Sequence, residues 1–578
     1  VPAGALLGLA ILVGLIALFA PLESAAGALV ATWLLVPGTL SLPGLPHLAL
    51  FVRVPLYALA LRMVLAACIS RDDWLRLIRP TGVHMALLAL LAVGFVDGVA
   101  LVGQGVSFPG DMHAWLRLLD LAVAFVVVLA LARRLGPWRI ARLVAGFALF
   151  TVVVAAIERA TGSGWSHFLF EHLAGEQSSP GASVLATRGG APRAQVAAEF
   201  ALEYGWVMVM ALPVVTVSAL RLRCRLLGLS HSLDQEVPAA PARERGSGHC
   251  LHFPYLPAPR IRGFVLWGVV VVPVAAVLAG VVMSGSRSAE VASVLVLGVL
   301  GLLVGAGPRA ILAGASIMAV LVVAVALGDP HVLLAPFVAA AHTNSVSIRI
   351  ERLPYVFAAA ATHPFTGVGF RGLVATIPGV DDAYALTYAT LGVVGLLAWG
   401  ALAAAFLLSL MRAIRFSRMS SERMLGAACL VGVGAAAVAA GAYDLVVTPE
   451  SLFVVIVLAA IGTACAEGVV LKNQGVEAGE SSGTRVVEHV APGTHRGRRL
   501  LSGGAIGVAV GAVVGAAVLL ATPPTWPRPT RWSPSTPLVW HESRGHWATL
   551  EAQSSHEVLA GSSPPRRNPA VRPLGASR

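Results

Sequence analysis

Apolar runs of about twenty residues, broken by short polar gaps, recur along the whole of this 578-residue chain. A helix rises about 1.5 Å per residue, so roughly twenty apolar residues cover a hydrocarbon core about 30 Å thick. The runs lie near 3–20, 26–42, 49–69, 82–102, 114–132, 140–157, 195–220, 263–283, 289–305, 310–328, 383–410, 425–446, 451–471 and 501–521. They predict about 12–14 transmembrane helices, the first two also compatible with a re-entrant pair. The short alternating segments of an outer-membrane barrel are absent. The fold class is therefore all-α: a polytopic integral membrane protein.

Composition agrees with the pattern and charge orients it. The chain is 57% hydrophobic and 12% charged, with mean hydropathy +0.81, which a soluble domain could not cover. Lysine and arginine total 41 against 29 acidic residues, and Lys472 is the one lysine. This excess sits in short gaps, the signature of loops held on the cytoplasmic side rather than of nucleic-acid binding. The gaps 70–80, 133–142, 221–262, 411–424 and 472–500 hold 3, 4, 7, 4 and 5 Lys+Arg, whereas 43–48, 103–113 and 447–450 hold none. Parity then places 158–194, the turn at 284–288 and one large loop, 329–382, on the extracytoplasmic side.

Four regions follow. Residues 1–194 carry N-terminal transmembrane helices and 195–410 a core that includes the 329–382 loop. Residues 411–522 carry C-terminal helices, and 523–578 form a Pro-, Ser- and Arg-rich tail read as a disordered, solvated extension. The insert 226–260 has the same character. The five cysteines have no metal-ligand spacing, so neither a disulfide nor a metal site is expected. Residues 3–20 lack a basic flank and a cleavage site, so they read as a helix rather than a cleaved signal.

Charge close to the membrane interior is costly and tends to be functional. Three outward stretches carry it. In APRAQVAAEFALEYG (191–205), Arg193, Glu199 and Glu203 stand at a helix start, the glutamates four apart on one face. In MSGSRSAE (283–290), Arg287 sits among small residues that leave its guanidinium open to a ligand. The third runs from Arg349 through the His363-Pro364 turn with Gly367 and Gly369 to Asp381, Asp382 and Tyr384, where another helix begins. Interface anchoring and helix capping compete with function at each of these positions. Arginines gathered on one face imply an anionic ligand, since a planar fork donates two parallel hydrogen bonds to phosphate. Nearby carboxylates could take a proton from an acceptor hydroxyl.

At these residues the chain resembles the bacterial O-antigen ligase/polymerase superfamily. Its members carry an Arg, a His-Pro…Gly-x-Gly turn and a helix start of the type His/Asp-Asn-x-Tyr-Leu…Gly-x-x-Gly. Here these read Arg349, HPFTGVG (363–369) and DDAYALTYATLGVVG (381–395). SGSRS (284–288) is similar to the family's Ser-Arg turn, and PRAQVAAEFALEYG (192–205) to its Arg…Glu-Phe-Gly helix start. The four motifs occur in order over roughly 180–410. Leu353 replaces a frequent tryptophan. Asp381 stands where ligases proper carry histidine and Asp382 where asparagine is usual, a pattern closer to the polymerase-like members.

The resemblance implies a metal-independent, inverting glycosyltransferase of the bacterial cytoplasmic (inner) membrane, with no cofactor. Its donor would be an undecaprenyl-pyrophosphate-linked glycan, its acceptor a glycan or lipid-linked glycan, in O-antigen or exopolysaccharide synthesis. Membrane lipids and other polysaccharide-assembly proteins are the further partners expected. Arg193, Arg287 and Arg349 would hold the pyrophosphate, Asp382, Asp381 or Glu203 would serve the acceptor hydroxyl, and His363 and Tyr384 would line the site. Two other readings are a polyprenyl-linked transferase of the peptidoglycan-polymerase type and a flippase for lipid-linked glycans. A transporter should show related halves and broken helices, and no such halves are visible. Arg53 and Arg62 lie inside an apolar run, where Asp97 or Asp120 could meet them.

Overall fold

The computed structural model describes residues 2–38, 40–42, 50–69, 80–103, 108–165, 187–188, 191–198, 201–227, 259–304, 363–369, 383–416, 420–441, 448–480, 538–541 and 546–549, with single positions at 169 and 185 and most of 354–361. Among the described residues twelve helices follow in order. They are α1 (Pro2–Phe19), α2 (Leu22–Leu35), α3 (Arg53–Ile69), α4 (Gly82–Gly103), α5 (Phe108–Leu135) and α6 (Pro137–Thr161), then α7 (Ala201–Leu226), α8 (Pro259–Met283), α9 (Arg287–Leu303), α10 (Ala383–Phe416), α11 (Ser420–Ala440) and α12 (Pro449–Glu480). Each answers to one predicted apolar run. The runs at 310–328 and 501–521 lie outside the described residues, as does most of the 226–260 insert. Among the described residues, stretches of α5, α6, α7, α10, α11 and α12 are long and apolar enough to cross a membrane. The protein is an all-α, multi-pass membrane protein.

α7 and α12 form the axis of the bundle. In the Glu450–Glu467 stretch of α12, 89% of the residues are buried, and α7 is packed by α6, α8, α9, α11 and α12. Their sequences show no polar stripe because they are surrounded on every side, as expected of a helix that is apolar all round.

The arginines collect at one end. Arg133 and Arg134 end α5, Arg139 and Arg142 begin α6, and Arg221, Arg223 and Arg225 close α7. Several are bound in place. Arg133 grips Glu467 of α12 with two hydrogen bonds of 2.7 and 2.6 Å, Arg139 pairs with Glu23, and Arg221 and Arg223 lie over the rings of Trp138 and Trp267. The opposite end gathers the C-termini of α6, α8 and α11 with the N-termini of α7, α9, α10 and α12. It carries the candidate site.

The two intramembrane arginines find internal partners. Arg53 Nε and Nη2 donate to Asp120 Oδ2 on α5, both at 2.7 Å, and Tyr57 Oη donates to Asp120 Oδ1 at 2.8 Å. Arg62 Nη1 donates to the carbonyls of Ala17 and Ala20 at 3.3 and 2.6 Å. These carbonyls end α1, where a helix leaves its last acceptors unsatisfied and favours a cation. Of the two carboxylates considered, Asp120 is bound by Arg53, and the side chain of Asp97 lies outside the described residues.

One predicted helix is broken. α10 leaves helical geometry at Gly392 (φ 64°, ψ −162°), torsions open essentially to glycine alone. Inside the tail, Leu538–His541 pairs antiparallel with His546–Thr549, so part of 523–578 adopts a short hairpin.

Candidate functional site

Arg193 and Arg287 are brought to one turn. α8 ends at Met283, and Ser284-Gly285-Ser286 reverses the chain into α9, whose first residue is Arg287. Ser286 is the N-cap, its Oγ accepting from Ala289 N at 3.4 Å. Ser284 Oγ donates to Val281 O at 2.6 Å and accepts from Ser286 N at 3.1 Å, so the turn is closed from within. Gly285 has φ +61°, a left-handed torsion that costs an L-residue strain. The side chain of Arg193 crosses this glycine, its Nε 3.2 Å from where a Cβ would stand, and donates to Ser284 O at 2.8 Å. Gly205 on α7 lets the turn sit against the helix, since a Cβ there would meet Ser284 Oγ at 2.5 Å. Small residues around Arg287 thus allow close backbone packing. Arg287 is half-buried, and its guanidinium has no hydrogen-bond or ion-pair partner among the described residues.

Glu158 and Arg159, in the last turn of α6, hold the segment that carries Arg193. The buried carboxylate of Glu158 accepts from Gln195 N at 3.1 Å and Val196 N at 2.9 Å. Val196 is the one non-glycine residue with positive φ among the described residues, so the carboxylate fixes a strained backbone. Arg159 Nη1 donates to the carbonyls of Pro192 and Met283, both at 3.5 Å, tying this segment to the start of the turn. Ala194 N donates to the same Met283 carbonyl at 3.0 Å.

Glu203 is placed differently from a surface base. Its side chain is buried at 1% exposure in the first turn of α7 and accepts from Ser451 N of α12 at 3.3 Å. Beside it lies the equally buried Glu450, which accepts from Gly38 N at 2.7 Å and lies within hydrogen-bond reach of Glu203. The two carboxyls join α7, α12 and the chain leaving α2 under the Arg193 turn.

The HPFTGVG turn is built into the break in α10. A helix interrupted at Gly392 frees the carbonyls of Ala389 and Thr390 and the amides of Val393 and Val394, and unpaired backbone is expensive in or near a membrane. The loop meets all four. Val368 N and Gly369 N donate to Ala389 O and Thr390 O at 2.8 and 3.0 Å. Val393 N and Val394 N donate to Pro364 O and Phe365 O at 2.9 and 3.3 Å. Gly367 (φ +74°) and Gly392 are where the two backbones cross, for a Cβ on either would overlap the other segment. Pieces of 354–361 pack on the first half of α10 through Val356, Ala360, Ala385, Leu386 and Ala389. The turn leaves His363 exposed, its side chain making no hydrogen bond among the described residues. Tyr384 is 44% exposed, and its Oη donates to Ala437 O at 2.7 Å.

Arg193, Arg287, Glu203, His363 and Tyr384 therefore lie at one end of the bundle, with the Arg193 side chain lying across the turn that leads into Arg287. Arg349, Asp381, Asp382 and Glu199 lie outside the described residues. Glu158, Arg159 and Glu450 are not among the residues that the sequence pattern singles out. The first two are visible as a charge pair closing an apolar run, and Glu450 as a carboxylate opening one. Among the described residues no cluster of three His, Cys, Asp or Glu side chains is shaped for a metal. What the described end offers is guanidinium groups held over a small-residue turn, suited to an oxyanion.

Residues 272–400 match the family model described as O-antigen ligase, a stretch that includes the Ser-Arg turn, the HPFTGVG turn and the broken helix. The match supports an O-antigen ligase/polymerase type of membrane function, with lipid-linked glycan substrates. No curated protein matches the chain.

Proposed function

For this chain of the O-antigen ligase family, we propose a membrane glycosyltransferase that joins undecaprenyl-pyrophosphate-linked oligosaccharides on the extracytoplasmic face. The observation that carries the reading is Arg287, half-buried and without a partner among the described residues, at the turn that the Arg193 side chain crosses. A pyrophosphate leaving group accumulates negative charge as the glycosidic bond breaks. Donors already fixed in place stabilise that charge without reorganising at the moment of reaction. Arg193 is so fixed by Ser284 O and Gly285, and Arg349 is the third arginine of the set.

The acceptor hydroxyl attacks the anomeric carbon through an oxocarbenium-like state, and a carboxylate beside it orients the hydroxyl and takes its proton. Asp382 is our choice, with Asp381 as the helix cap. Burial of Glu203 between α7 and α12 favours a positioning role for that residue. His363 and Tyr384, exposed at the same end, suit contacts to sugar hydroxyls. The aspartates at 381 and 382 favour polymerisation over ligation. Deletion cells should then accumulate single lipid-linked repeat units. Finished but unattached chains would make the protein a ligase, and unchanged lipid-linked pools would remove it from glycan assembly.

A further inference from the structure

The mechanism leaves the arginine-rich end of the bundle unused, and a groove of about 200 Å³ lies there between α6, α7 and α8. Its mouth is cationic. Arg142 stands on the second turn of α6, and Arg221 and Arg225 on the last turns of α7. Arg142 is exposed, with Nε donating to Trp138 O at 3.4 Å, and Arg225 is exposed with no partner among the described residues. Arg221 lies 4.2 Å above the Trp138 ring. Among the described residues no carboxylate lines the groove. Its inner walls are apolar, formed by Leu149, Val215 and Val269 among others. From Arg142 to Leu149 the helix rises roughly 10 Å, a depth that takes the first several carbons of an acyl chain. Two buried polar atoms of the lining, Trp138 Nε1 and Ser218 Oγ, have no hydrogen-bond partner among the described residues, and such groups are seldom left unmet in native proteins.

We propose that this groove binds one anionic glycerophospholipid from the leaflet at the arginine-rich end. Arg142 and Arg225 hold the phosphodiester, with Arg221 in support, and one acyl chain enters between α6 and α8. A cationic mouth above an apolar slot fits both halves of such a molecule, and an indole at the boundary is at home in the interfacial zone. The phosphodiester and ester oxygens supply acceptors for Trp138 Nε1 and Ser218 Oγ. A free phosphate satisfies the mouth only, and a zwitterionic lipid brings a choline cation to the arginines.

Native mass spectrometry of the full-length protein, released from detergent with phosphatidylglycerol or phosphatidylcholine of matched chains, tests this. The wild type is expected to retain one phosphatidylglycerol in clear preference to phosphatidylcholine. The R142Q/R225Q double variant, altered at two exposed side chains and so expected to fold, is expected to lose about thirtyfold in that retention. Equal retention of both lipids, or equal retention of phosphatidylglycerol by wild type and variant, overturns the proposal. Displacement of phosphatidylglycerol by an equimolar amount of inorganic phosphate overturns the lipid in favour of a free anion.

Discussion

Replacing Gly392 by alanine attacks the joint between the HPFTGVG turn and α10. At φ 64°, ψ −162° an L-residue is strained by about 1–3 kcal/mol. The new Cβ would also overlap the Phe365 carbonyl group, so the backbones must separate. Separation forfeits four hydrogen bonds, those of Val368, Gly369, Val393 and Val394, at about 1 kcal/mol net each. The docked state should weaken by roughly 4 kcal/mol, since undocking relieves the overlap. That corresponds to about a thousandfold loss of protection. Hydrogen exchange of these four amides in detergent, read by mass spectrometry, measures it directly. Gly298→Ala is the control, because a Cβ there meets nothing within 4 Å. We expect fast exchange and lost transfer in G392A and wild-type behaviour in G298A. Unchanged protection in G392A would refute the idea that the loop is held by the break.

Three further outcomes are expected. A cysteine replacing Thr343 should react with a membrane-impermeant thiol reagent in intact spheroplasts; labelling only after lysis would reverse the orientation. Asp120→Ala removes the carboxylate that buried Arg53 binds, so thermal unfolding should show a loss of about 3–5 kcal/mol, largely restored in R53M/D120A; an equally unstable double variant would deny the pair its compensating role. Asp382→Asn should lower turnover far more than donor affinity while Asp381→Asn is mild; equal small effects would return the role to Glu203 or to no protein base.

The apolar runs made the helices legible because a membrane allows few alternatives, and segment length carries that information. The break in α10 was not legible in this way. LGVVGLL (391–397) reads as continuous oil, since hydropathy does not register one backbone torsion, and the loop that repairs the break lies more than twenty residues upstream. Its glycines were visible as a turn and as a family motif, and the crossing of Gly367 with Gly392 supplies the physical reason for their place against α10. Arg53 was visible as an anomaly, yet finding Asp120 beside it required packing of α3 against α5. Glu203 was read as an outward carboxylate from its place at a helix start. Its burial depends on α12 arriving from the far end of the chain with Glu450 and Ser451, a neighbour that local pattern could not announce.

The central claim is that Arg193 and Arg287 hold a pyrophosphate by forked hydrogen bonds. Steady-state transfer from a polyprenyl-pyrophosphate-linked glycan by purified protein in proteoliposomes tests it most directly, comparing wild type with Arg193→Lys and Arg287→Lys. Lysine keeps the charge and loses the fork, and hydrogen bonds to charged groups contribute about 1.5–3 kcal/mol. A fall in kcat/KM of about ten- to a hundredfold is expected for each variant at normal membrane levels. Wild-type kcat/KM in both would contradict it and leave these arginines as interface anchors.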